Sequence, residues 1–201
     1  MTAAAAYDAV VLAGGRATRL GGVDKTALGP PGDTLLDRAL RSVEPAARRI
    51  LVAGPEVPAP PGVLRATESP RYGGPVAALA AALAVPGAPA AFVVVLAADL
   101  PAVERALPVL LAAVDPVGSA DGWIAVDPDG RDQPLLGVYR RAPLAAAVDA
   151  VPAGGAGAPL RRVLAGLTLI RVPLPAGLTA DVDTPAEAAA AGLDPAAPAP
   201  R

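Results

Sequence analysis

The stretch Leu12–Lys25, LAGGRATRLGGVDK, decides how the rest of the chain is read. The hydrophobic run Ala9-Val10-Val11-Leu12-Ala13 leads into it and has the character of a strand buried on both faces in a parallel sheet. Gly14-Gly15 then removes side chains where the backbone must turn sharply and let a ligand approach. Four glycines between Gly14 and Gly22 leave peptide N–H groups free to face an anion. Arg16, Arg19 and Lys25 add three cations to the same loop. Strand, glycine turn and cations together predict a polyphosphate site.

Lys25 is the only lysine of the chain, against sixteen arginines. A sequence that uses arginine for nearly every cation keeps a lysine where a compact ammonium does what a planar guanidinium cannot; the plainer alternative is a surviving surface lysine. Two common phosphate motifs do not fit. A P-loop needs glycine before its lysine, and Asp24 stands there; the dinucleotide fingerprint needs spaced glycines, and Gly14 and Gly15 are adjacent.

Composition narrows the chemistry. With 201 residues, 53% of them apolar, the chain can bury one good core, and one domain over residues 1–193 is expected. Aromatics are only 2%, so Val, Leu, Ile and close packing of alanines must build that core. A net charge of −2 gives no general basic surface for nucleic acid. Without cysteine or histidine there is no disulfide, thiolate metal site, imidazole base or Ser-His-Asp triad. Catalysis must use carboxylates, cations, backbone dipoles or a hard oxygen-bound metal, with Mg²⁺ the first choice. MTAAAAYD lacks the positive start of a signal peptide. The uncharged run Pro75–Ala98 is broken by Pro86-Gly87-Ala88-Pro89, so no membrane span is expected and the cytoplasm is the expected compartment.

Further along, Leu36, Leu40 and Val43 share a helical face near Thr34 and Asp37. Strands are expected at Ile50–Ala53, Val63–Leu64, Ala91–Leu96, Gly122–Val126, Leu135–Tyr139 and Leu167–Val172. Helices are expected at Val76–Ala84, Val103–Val114 (interrupted by Pro108), Pro143–Val151, Pro159–Ala165 and Pro185–Ala191. Thr184 is placed to cap the last of these, and the Ala/Pro tail 194–201 is expected to be disordered. Alternating strands and helices predict a three-layer α/β sandwich with a mostly parallel central sheet. Such folds bind ligands beyond the carboxyl ends of their strands. Asp99, after the Ala91–Leu96 strand, belongs at that edge, either as a metal ligand or as a cap for the segment starting at Pro101.

The opening loop resembles that of the molybdenum cofactor guanylyltransferases, where L-A-G-G-x-x-x-R-M-G-x-x-D-K begins a nucleotide-binding domain. Leu12, Ala13, Gly14, Gly15, Arg19, Gly21, Asp24 and Lys25 match, and Leu20 replaces the methionine. The resemblance runs from Ala9 to about Leu193 and implies a Rossmann-like nucleotide-diphospho-sugar transferase fold. It implies GMP transfer from GTP to the terminal phosphate of molybdopterin, bearing molybdenum or not, with release of pyrophosphate.

Leu12, Ala13, Gly14, Gly15, Lys25, Glu68 and Asp99 would then bind nucleotide, and Arg19, Lys25 and Asp99 would carry catalysis. Asp99-Leu100-Pro101 matches the family's aspartate-x-proline that holds magnesium. Glu68-Ser69 stands where the family has an acid and serine before G-P-L, with Glu in place of the usual Asp. Its carboxylate can accept from guanine N1–H and N2–H, or it is a solvated loop acid. Asp129-Gly130-Arg131, then Gln133-Pro134-Leu135, resembles an element facing the acceptor, with Arg131 on the acceptor phosphate; a simple hairpin is the alternative. Asp183, in D-V-D-T-P, is a second metal or ribose contact, or part of a helix start. Other proteins of molybdenum cofactor biosynthesis are possible partners. Rival readings are a relative using CTP on molybdopterin, a guanylyltransferase for another phosphorylated small molecule, or a non-catalytic nucleotide-binding module.

Overall fold

The structure is a computed structural model and describes residues 5–14, 25–182 and 184–193. Gly15, Arg16, Arg19, Gly21, Asp24, Asp183 and the 194–201 tail lie outside the described residues. Seven strands form one sheet: β1 (Tyr7–Ala13), β2 (Arg48–Ala53), β3 (Val63–Ala66), β4 (Phe92–Ala97), β5 (Gly122–Val126), β6 (Asp132–Arg140) and β7 (Leu169–Pro173). Their order is β3-β2-β1-β4-β6-β5-β7. Only β6 runs against its neighbours, pairing antiparallel with both β4 and β5. β1 is buried along its whole length, as its unbroken apolar run predicts.

Helices α1 (Leu35–Ser42) and α3 (Val103–Ala112) cover one face. They pack Ala39, Leu40, Val43, Leu107 and Leu110 on Val11, Leu51, Val94, Leu96 and Trp123. Helices α2 (Pro75–Leu83), α4 (Arg141–Asp149) and α5 (Leu160–Leu164) cover the other, over Val10, Ile50, Val93, Val95 and Tyr139. This is the expected three-layer α/β sandwich with its mostly parallel central sheet. α2 presents Val76, Ala77, Ala78, Leu79 and Ala82 to the interior, and these small side chains let the helix sit close to the sheet. α6 (Pro185–Ala190) closes a smaller cluster of Leu28, Leu35, Val182, Ala188 and Leu193.

Local chemistry sets the ends of these elements. Thr34 and Asp37 form a reciprocal capping box on α1, with bonds of 2.9 and 3.1 Å. Thr184 caps α6 in the same way with Glu187, as its position predicts. Gly74 precedes α2 at φ +89°, a conformation that favours glycine, and Pro75 opens the helix.

Some boundaries differ from those read in the sequence. α3 runs through Pro108 to Ala112, because that proline faces solvent and the carbonyl it leaves without a helical partner can be hydrated. β6 begins at Asp132, so Gln133 and Pro134 belong to the strand and not to a loop before it. Within residues 75–98 the chain forms α2 and β4, and among the described residues no helix is long and apolar enough to cross a membrane.

Candidate active site

Strand order reverses at β1, which has β2 on one side and β4 on the other. Such a switch point opens a crevice beyond the carboxyl ends of the two strands. Leu12 pairs with Ala97 across β1 and β4, and the Ala98 N–H donates to the Leu12 carbonyl at 3.0 Å. Two residues beyond that pair stand Gly14 and Asp99. Parallel register alone therefore sets the glycine turn beside the carboxylate. Both line one cavity of about 1060 Å³, and so does Lys25.

Lys25 starts a short 3-10 turn, Lys25–Ala27, whose carbonyl accepts from Leu28 N–H at 3.1 Å. Leu28 is buried in the small cluster under α6 and anchors the lysine's segment from below. Asp99 is half-buried, and its carbonyl accepts from Val182 N–H at 3.2 Å. That bond draws Asp181 to the same cavity wall. The cap alternative for Asp99 fails: α3 starts at Val103 with Ala102 as its N-cap and no side-chain bond there.

Toward β3 the wall is a polar loop. The Glu68 carboxylate accepts from Tyr72 N–H at 2.8 Å and lies 3.9 Å from where a Cβ on Gly14 would stand. Arg71 reaches across to Glu56, donating to both carboxylate oxygens at 2.9 and 3.1 Å, and its guanidinium lies 5.2 Å from the Tyr72 ring centre. Toward β6 the wall is Gln133, Pro134, Leu135 and Leu136. Leu12, Ala13, Gly14, Lys25, Glu68 and Asp99 thus share one cavity, although they come from four separate parts of the chain. Gly15, Arg19 and Asp183 lie outside the described residues. Arg131 is not brought in: its side chain is exposed, paired with Asp129 at 3.5 Å, because the Asp127–Gly130 turn carries it past the cavity rim. The sequence gave no signal for Thr179 or Asp181 as lining residues, since a backbone bond to Asp99 brings their segment in.

Among the described residues no three acidic side chains converge as a metal cage. The donors on offer are oxygens, with Asp99 and Asp181 on one wall. Magnesium is commonly held by one or two carboxylates together with substrate phosphates and water, so this donor set fits it.

A family model described as the MobA-like NTP transferase domain matches residues 9–172. A probable molybdenum cofactor guanylyltransferase of Chloroflexus aggregans is 36% identical over 167 residues, covering 78% of this chain and 70% of that protein. Among solved structures, molybdopterin-guanine dinucleotide biosynthesis protein A from Archaeoglobus fulgidus superposes with a TM-score of 0.67 at 21% identity, covering 92% of this chain and 96% of that one. The 2-C-methyl-D-erythritol 4-phosphate cytidylyltransferase of Thermus thermophilus gives 0.67 at 20% identity, covering 92% and 97%. At these identities the two structures speak to the fold.

Proposed function

The chain belongs to the MobA-like NTP transferase family, and from that premise we propose that it transfers GMP from GTP to the terminal phosphate of molybdopterin, releasing pyrophosphate. The observation that carries this reading is the meeting of Gly14, Lys25 and Asp99 in one cavity at the switch point of the sheet. The guanylyl choice is supported by the Chloroflexus relative's name and by the Glu68 carboxylate on the cavity wall. Cytosine presents one exocyclic amine, whereas guanine offers N1–H and N2–H side by side to a carboxylate. Glu68 keeps its second oxygen for that contact while the first accepts from Tyr72.

In the proposed reaction an oxygen of the acceptor's terminal phosphate attacks the α-phosphorus of GTP in line. A new P–O bond forms as the bond to the β-phosphate breaks, and pyrophosphate leaves with the bonding pair. The attacking oxygen is already anionic near neutral pH, so the absence of histidine costs nothing. Backbone N–H groups at Leu12 to Gly15 hold the nucleotide. Lys25, with Arg19, meets the charge growing on the leaving pyrophosphate. The chain's work is alignment and charge neutralisation. Asp99, and Asp183 as a second ligand, would hold magnesium, which when bound neutralises phosphate charge. The reading takes the cytoplasm as the compartment and other proteins of molybdenum cofactor biosynthesis as partners.

The test is Mg²⁺-dependent pyrophosphate release with purified molybdopterin and each of GTP, CTP, ATP and UTP in turn. Turnover with GTP well above the others is expected. A preference for CTP would favour the cytidylyl reading, and nucleotide binding without turnover would indicate a binding module.

A further inference from the structure

Strand β6 does not run straight past the cavity. Ile124 of β5 pairs with Gly137, yet the next residue, Ala125, pairs with Gln133. Pro134, Leu135 and Leu136 are left without a β5 partner, so the strand bulges there. A regular strand turns alternate side chains to opposite faces. Here four successive residues, Gln133 to Leu136, line the cavity. A proline is tolerated at such a position because a bulge asks for no ladder N–H.

Two side chains hold the bulge. The buried Tyr139 hydroxyl donates to the Pro134 carbonyl at 2.7 Å. Its ring fills the space left by two glycines: a Cβ on Gly122 or on Gly137 would come within 2.7 Å of it. Burial raises the Tyr139 pKa above the usual phenol range, so the hydroxyl keeps its proton and remains a donor. From the turn, Asp127 accepts from Gln133 Nε2 at 3.3 Å through one oxygen and from Arg131 N–H at 2.8 Å through the other. Gln133 is the only amide side chain of the chain. With one N–H given to Asp127, it retains its carbonyl oxygen and a second N–H for a ligand. Pro134, Leu135 and Leu136 continue that wall as an apolar surface. An amide beside an apolar wall suits a flat heterocycle that presents a donor and an acceptor on one edge. β6 lies on the far side of β4 from β1 and β3, so this wall faces Glu68 across the Gly14–Asp99 centre.

We propose that Gln133 is a specificity-determining contact to the pterin ring of the acceptor, with Asp127 and Tyr139 as positioning residues that set its amide and the bulge beneath it. This rests on the guanylyl-transfer reading. The experiment is steady-state pyrophosphate release with GTP and molybdopterin varied in turn, for the native chain, Gln133→Ala, Gln133→Glu, Tyr139→Phe, Asp127→Ala and Asp127→Asn. Gln133→Ala should raise KM for molybdopterin about five- to tenfold, the loss of one neutral hydrogen bond, with KM for GTP within about twofold of native. Tyr139→Phe and Asp127→Ala should move the same constant in the same direction, and Asp127→Asn, which still offers an oxygen to Gln133, should restore most of it. An unchanged KM for molybdopterin in Gln133→Ala and Gln133→Glu, or a rise confined to GTP, overturns the assignment and leaves the guanylyl-transfer reading standing. A native chain that releases no pyrophosphate with this pair overturns that reading, and the assignment with it.

Discussion

Replacing Asp8 by alanine should lower stability sharply while sparing the chemistry. Asp8 sits on β1 with its side chain fully buried. Its Oδ2 faces Arg48 Nη1 at 3.5 Å and Arg141 Nη1 at 3.4 Å. Both guanidinium groups are themselves well covered, with side chains 12% and 15% exposed. Removing the anion leaves two largely desolvated cations facing each other. Breaking a buried ion pair from one side costs about 3–5 kcal/mol. Two features select the lower end of that range. The contacts are longer than strong charge-assisted bonds. The arginines also keep carbonyl partners, Arg48 at Val85 and Pro86 and Arg141 at Leu83. A loss of about 3 kcal/mol corresponds to a fall in Tm of about 6–12 °C for a chain of this size. Asp8 lies six residues before Gly14, so about 20 Å of strand separates it from the site. Thermal melts of native and Asp8→Ala protein, at low and high salt, are the assay. The fall should persist at high salt, because buried pairs are little screened. A Tm within about 2 °C of native, or lost pyrophosphate release well below the variant's own Tm, would refute the reasoning.

Gly155→Ala should destabilise by about 2–5 kcal/mol, from the left-handed backbone and from overpacking, because φ is +79° and a Cβ there would lie 2.4 Å from Val76 Cγ1. Gly154→Ala, at φ +63° with no atom within 4 Å of the added carbon, should cost only the backbone share; equal losses in thermal melts would contradict this. Arg38 and then Arg41 hold the Asp33 carboxyl down to about 2. Its stabilisation should be full above about pH 4 and disappear as pH falls through about 2. Asp33→Asn should therefore remove a modest part of the loss of denaturant resistance over that window, and an identical acid slope in the variant would count against the pairing. Across the four nucleotides, GTP should give the highest kcat/KM with molybdopterin.

What the sequence made legible was whatever depends on local order. The apolar run before Gly14 and the one before Asp99 are visible as β1 and β4, and a mostly parallel α/β sheet follows from their alternation with helices. Once those strands are neighbours, Gly14, Lys25 and Asp99 come together with no further information. The features that escaped depend on distant partners. Asp8 is a charge in an otherwise apolar strand, neutralised by arginines 40 and 133 residues away. The β6 bulge is held by a tyrosine hydroxyl and two absent Cβ atoms, which periodicity cannot register, so Leu135 passes for the start of the strand when Asp132 is. Arg131 has the sequence neighbours of an anion ligand, but the turn before it carries its side chain into solvent.

The central claim is that Asp99 acts on the triphosphate at the switch point of the sheet. Pyrophosphate release by Asp99→Ala, with GTP and molybdopterin saturating for the native chain and with thermal melts of both proteins alongside, tests it most directly. The account predicts turnover reduced by about 10²-fold or more with Tm close to native. Native-like turnover by the folded variant would contradict it.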